Sequence, residues 1–131
     1  ITMILEIENK PEIKTPKPKD IERALKGLKS EGPSSFASLT SGSGDYVQVA
    51  GGKFTCFLEK RDSTSGAHYR AYSKKPSAPF PDGSILSFSG GDVALKHDEW
   101  LNIERVISVF IAFLEGDDFP SDIHWREIDL N

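Results

Sequence analysis

DYVQVAGGKFTCFLEKRD, residues 45–62, is the stretch on which the fold turns. Two runs rich in β-favouring residues flank Gly51-Gly52. Such a dipeptide takes the positive φ of tight hairpin turns, so the spacing predicts a β-hairpin closed at Gly51-Gly52. The second run alternates Phe54, Cys56 and Leu58 on one side with Thr55, Phe57 and Glu59 on the other. Both sides carry apolar groups, which suits a strand in the middle of a sheet.

Toward the N-terminus, SFASLTSG (residues 35–42) predicts a strand and MILEIE (3–8) a short first strand. Between them, NKPEIKTPKPKD (9–20) is a Pro/Lys-rich connector, and Pro11, Pro16 and Pro18 exclude a central strand or helix there. Pro18 suits the first position of a helix. Ile21, Ala24, Leu25 and Leu28 follow at helical spacing, and SEGPSS (30–35) ends it.

Toward the C-terminus, STSG (63–66) reads as a turn. AHYRAYSK (67–74) is a strand with Tyr69 on one face and His68, Arg70 and Tyr72 on the other. KPSAPFPDG (75–83) is a loop, and SILSFSG (84–90) a strand running into Gly90-Gly91, with irregular chain after it. The most apolar helix is expected over residues 101–116, with Asn102 as N-cap and Gly116 as C-terminal stop. Ile103, Val106, Ile107, Phe110, Ile111, Phe113 and Leu114 cover so broad a face that it must lie against a sheet or in a groove. DIHWREI (122–128) is a last strand, with Ile123, Trp125 and Glu127 facing one way. The order β-α-β-β-β-β-β-α-β predicts one α+β domain over residues 3–131. It is a mostly antiparallel β-sheet with two α-helices, the C-terminal helix packed on one face.

Composition narrows the class. A chain of 131 residues can bury a core without disulfides, and its single cysteine, Cys56, forms none internally. No run reaches the roughly 18 apolar residues of a membrane span. The start of the chain lacks a basic region leading into an apolar block, so a cytoplasmic protein is expected. The net charge of −4 hides an asymmetry: residues 1–89 hold 13 Lys/Arg against 10 Asp/Glu, and residues 90–131 hold 3 against 10. The acidic end argues against direct nucleic-acid binding and would attract a basic partner. A solvated, solubilising face is the bland reading of the same charges.

The residues offer little catalysis. His68, His97 and His124 are scattered, with no partners at metal-ligand spacing, so no metal or cofactor is expected. Cys56, between Phe54 and Leu58, reads as a buried small hydrophobe. SGSGD and SGGD are glycine-rich but do not lead into a helix, unlike a phosphate loop. The candidate partner-binding residues are Asp117, Asp118 and Asp122 in one turn, and Asp92, Asp98 and Glu99 before the second helix. Tyr69 and Tyr72, with Tyr46, are candidates for an exposed aromatic surface.

ILSFSGGDVALKHDEWLNIERVISVFIAFLEGDDFPSDIHWREI (85–128) carries Gly90-Gly91, Phe113, Gly116, Pro120 and Trp125 in that order. With DIERALKGL and the YVQVAGG/FTCFLEKRD pair upstream, residues 16–128 resemble the first family of immunity proteins from bacterial polymorphic-toxin systems. That family often has a proline where Leu101-Asn102 begins the second helix here. The resemblance implies a cytoplasmic, non-enzymatic protein that binds and blocks a cognate toxin domain, often a deaminase or nuclease. It supplies no catalytic residues. Two other readings stay open: a self-associating adaptor or scaffold using a sheet edge or the Tyr69/Tyr72 surface, and an enzyme with an unrecognised site.

Overall fold

The computed structural model describes residues 3–29 and 34–129. It is an α+β domain built on a seven-stranded, fully antiparallel sheet. The elements in chain order are β1 (Met3–Ile7), β2 (Ile13–Lys14), α1 (Pro18–Lys26), β3 (Phe36–Ser41), β4 (Tyr46–Gly52), β5 (Thr55–Arg61) and β6 (His68–Tyr72). β7 (Ser84–Phe88), β8 (Gly91–Leu95), α2 (Ile103–Glu115) and β9 (His124–Ile128) complete it. The sheet order is β2-β1-β3-β4-β5-β6-β9, while β7 and β8 pair only with each other. No helix among the described residues is long and apolar enough to cross a membrane.

The main core lies between one face of the sheet and both helices. Leu5, Ala37, Leu39, Val47, Val49, Cys56, Leu58 and Ala71 project from the strands onto Ile21 and Leu25 of α1 and Val106, Val109 and Phe110 of α2. Residues two apart on a strand share a face, which is why these positions alternate. The β7–β8 hairpin covers part of the other face. There Ala50 and Phe57 meet Leu86, Leu95, Ala78 and Trp100 in a second cluster. β5 is thus buried on both sides, as its two-sided apolar pattern requires.

The helix ends follow their chemistry. Pro18 opens α1, where the Asp20 carboxylate accepts from the Lys17 N–H at 2.8 Å. The α1 helix ends at Lys26, before the predicted SEGPSS terminator, of which residues 30–33 lie outside the described residues. The Asn102 side chain accepts from the Arg105 N–H at 2.9 Å and caps α2. Gly116 takes a left-handed φ of 73°, and the Asp117 N–H returns to the Ala112 carbonyl at 2.9 Å.

Two expectations are corrected, and the exclusion of a central strand from the Pro/Lys-rich connector holds. The central hairpin turns at Lys53-Phe54, because Gly51 and Gly52 remain in the strand opposite Cys56 and Thr55. A Cβ on Gly51 would sit 2.1 Å from the Thr55 carbonyl oxygen, and one on Gly52 would sit 2.5 Å from that of Leu28. The glycines serve close backbone approach, Gly51 at a positive φ of 95° within the strand, while Lys53 takes a positive φ of 54° in the turn itself. Residues 91–95, expected to be irregular, form β8 with Val93 and Leu95 turned inward. The Pro/Lys-rich connector contributes β2, two residues at the sheet edge, where prolines on either side cost no ladder bonds.

Candidate functional site

The strand register assembles a polar row on the sheet face opposite the helices. Ser38, Gln48, Glu59, Arg70 and Arg126 stand side by side on β3, β4, β5, β6 and β9. Glu59 accepts from Gln48 at 3.1 Å and from Arg70 Nε and Nη2 at 2.9 and 2.8 Å. Chain from the loop before α2 then closes over the row. Asp98 receives both terminal nitrogens of Arg126 at 3.1 and 2.9 Å, a bidentate fork. Glu99 receives Arg126 at 2.9 Å, faces Arg70 at 3.6 Å, and accepts the Lys96 N–H at 2.7 Å.

Glu59 and Glu99 are only 7% and 2% exposed, so each needs its arginine. Hydrogen bonds from Arg126 hold the Asp98 carboxyl below its ordinary value, against the opposing effect of burial. In turn the Asp98 and Glu99 carboxylates push the guanidinium of Arg126 up. This cluster fastens the pre-α2 loop to the sheet and offers no free nucleophile or base. Cys56 is fully buried and burial pushes its thiol up to about 12, the behaviour of a core residue. Among the described residues no three His, Cys, Asp or Glu side chains converge as a metal site.

The acidic candidates therefore separate into two groups. Asp98 and Glu99 are internal ion-pair partners, and the burial of Glu99 takes it out of any surface. Asp122 pairs with Arg105 in the first turn of α2 at 2.7 Å, so it stands away from Asp117 and Asp118. Those two sit past the far end of the helix, roughly 20 Å from Asp98 and Glu99 at a rise of about 1.5 Å per residue. Asp92 is exposed at the start of β8, opposite Ser87. The six acids do not converge. Tyr69 and Tyr72 lie on opposite faces of the sheet: Tyr69 under the Lys60 ammonium, Tyr72 under the Arg126 guanidinium at 4.4 Å. They form no common surface.

The end of α2 carries a cluster of unpaired acids. Glu115, Asp117 and Asp118 are exposed and make no ion pair among the described residues. The last turn of α2 has no basic residue. Carbonyls at a helix C-terminus already carry partial negative charge, so three carboxylates there repel the helix and one another. The turn is nonetheless held in place. Phe119 stacks near Trp125 at 5.2 Å, and the Lys60 ammonium lies 5.2, 4.5 and 5.2 Å from the ring centres of Phe119, Trp125 and Tyr69. Sequence reading missed Lys60, Glu59, Arg70 and Arg126 because their roles arise only from strand register. Compared with family models, curated proteins and solved structures, the chain matches none.

Proposed function

We propose that the protein is a cytoplasmic immunity protein. It binds a cognate polymorphic-toxin domain that acts on nucleic acid, a deaminase or nuclease, and occludes its active site. It performs no catalysis and does not itself bind nucleic acid. The observation that carries the reading is the uncompensated acid at the end of α2, preorganised by the Lys60 cage. A nucleic-acid enzyme needs a basic cleft, and Glu115, Asp117 and Asp118 supply carboxylates that stand where phosphates would lie. A basic partner would relieve their mutual repulsion, so part of the binding free energy is stored in the free protein. The resemblance of residues 16–128 to immunity proteins gives the partner its class.

The test is capture of partners from the source organism, with the native protein and a Glu115→Lys, Asp117→Lys, Asp118→Lys variant side by side. The native protein is expected to retain one stoichiometric protein ending in a basic domain that kills cells when expressed alone. The variant is expected to lose at least tenfold in affinity. Equal capture by both proteins removes this turn from the interface. Recovery of the protein only as a homo-oligomer, from cells expressing the basic domain, overturns the immunity reading in favour of a self-associating scaffold.

A further inference from the structure

Strand β9 is the outer strand of the sheet, and the phase of the ladder shows which of its backbone groups are open. The Asp62 N–H donates to the Ala67 carbonyl at 2.9 Å, so odd-numbered residues of β6 bond β5 and even-numbered ones bond β9. β9 thus commits His124, Arg126 and Ile128 to Tyr72, Arg70 and His68. The amides and carbonyls of Trp125 and Glu127 point away from the sheet, and no described residue pairs with them. Ile123, next in the same phase, already donates to the Pro120 carbonyl at 3.1 Å. The open stretch begins at Trp125.

Proteins usually blunt such an edge with proline, lysine or a bulge. The opposite edge of this sheet is covered by β2 and by the Thr15 N–H, which donates to the Met3 carbonyl at 2.8 Å. β9 has no proline, lysine or bulge; its charges are Arg126, which is tied to Asp98 and Glu99, and the exposed Glu127, and its register with β6 runs unbroken over five residues. It is also held rigid, by the Arg126 fork to Asp98 on one face and by Trp125 against Lys60 on the other.

We propose that the β9 edge accepts an extended segment of a partner protein as an eighth strand, one that alternates lysine or arginine with β-branched residues. The chemistry follows from what flanks the edge. Glu127 is exposed on the helix-side face with no ion pair among the described residues, and calls for a basic residue opposite it. Arg126 on the other face is neutralised by Asp98 and Glu99 and repels nothing, while half-buried Ile128 suits a β-branched neighbour.

A second copy fits poorly. Symmetric antiparallel pairing that keeps faces matched sets Glu127 opposite Ile123, Trp125, Asp129 or a second Glu127, none of them basic, and two carboxylates directly opposite are destabilising. The inference rests on the reading of the protein as a binder of a basic partner, and adds a backbone-pairing site apart from the acidic turn.

The test uses the full isotope-labelled chain and a capped peptide, Thr-Lys-Val-Lys-Val-Lys-Val, with its fully N-methylated counterpart as control. In the free protein the amides of Trp125 and Glu127 are expected to exchange at least tenfold faster than those of His124, Arg126 and Ile128. Millimolar peptide is expected to slow Trp125 and Glu127 at least tenfold. The N-methylated peptide, with the same charge and no donors, is expected to leave them unchanged, and Glu127→Lys to weaken the effect at least fivefold. Equal action of both peptides, no protection at millimolar concentration, or shifts centred on Asp117 and Asp118 would overturn strand addition. Slowing that rises with protein concentration alone would replace the partner by a second copy. The Glu115/Asp117/Asp118 variant is expected to take the peptide normally, so failure of the acidic-turn reading leaves a different signature.

Discussion

The ammonium of Lys60 has three aromatic rings around it and no carboxylate at ion-pair distance among the described residues. Burial lowers its pKa, and the ring faces offset part of that cost by attracting the charge. The cage thereby fastens the acidic turn without neutralising it, as a salt bridge would. Phe119→Ala opens the cage and is expected to cost about 2 kcal/mol. It should also move Trp125 emission to longer wavelength, and unchanged emission would show that the turn keeps its place without the cage. Asp98 acts by charge instead. Its carboxyl is held below the ordinary value of 3.8 by Arg126, so folding depresses its pKa. The stability it contributes is complete above about pH 3.8 and is lost as pH falls through the lowered value. Asp98→Asn should therefore be less stable at neutral pH by about 1.5–3 kcal/mol. Its stability should also fall less steeply on acidification, read by urea denaturation across pH 2–7.

At the scale of elements, two glycines with positive φ behave differently. Gly51 sits inside β4 at φ 95°, with the Thr55 carbonyl where a Cβ would go. Gly51→Ala is expected to cost about 3 kcal/mol or more, since strain and a backbone clash add. Gly116 ends α2 at φ 73° with open space around it, so Gly116→Ala is expected to cost only about 1 kcal/mol. Thermal unfolding of the two variants side by side checks the order, and equal losses would mean that the β4–β5 pair yields locally. The α2 end carries an opposite expectation. Replacing Asp117 and Asp118 with Lys removes helix-end repulsion and should raise stability by about 0.3–1 kcal/mol each. A gain in stability coupled to a loss of partner binding is the mark of a site kept for function.

At the scale of the whole molecule, the helices bury one face of the sheet, the β7–β8 hairpin part of the other, and the arginine–carboxylate row ties the pre-α2 loop down. Removing Arg70 should leave Glu59 buried and uncompensated, so Arg70→Met is expected to destabilise by about 3–5 kcal/mol, checked by urea denaturation. The sequence alone determined what local chemistry controls. The α+β class, Asn102 and Gly116 as the ends of α2, Pro18 as the start of α1, the burial of Cys56 and the central place of β5 were all legible. Each depends on neighbours within a turn or on a short periodicity. The turn at Lys53-Phe54 was not, because Gly51 and Gly52 answer to Thr55 and Leu28 across space. Nor were the roles of the acids. Asp117, Asp118, Asp122, Asp98 and Glu99 look alike in the chain. Strand register and the length of α2 decide that Asp98 and Glu99 turn inward to Arg126, that Asp122 meets Arg105, and that Asp117 and Asp118 stay in water. Pairing of charges is a property of distance in the folded molecule, and distances between remote segments exist only once the sheet has set its register.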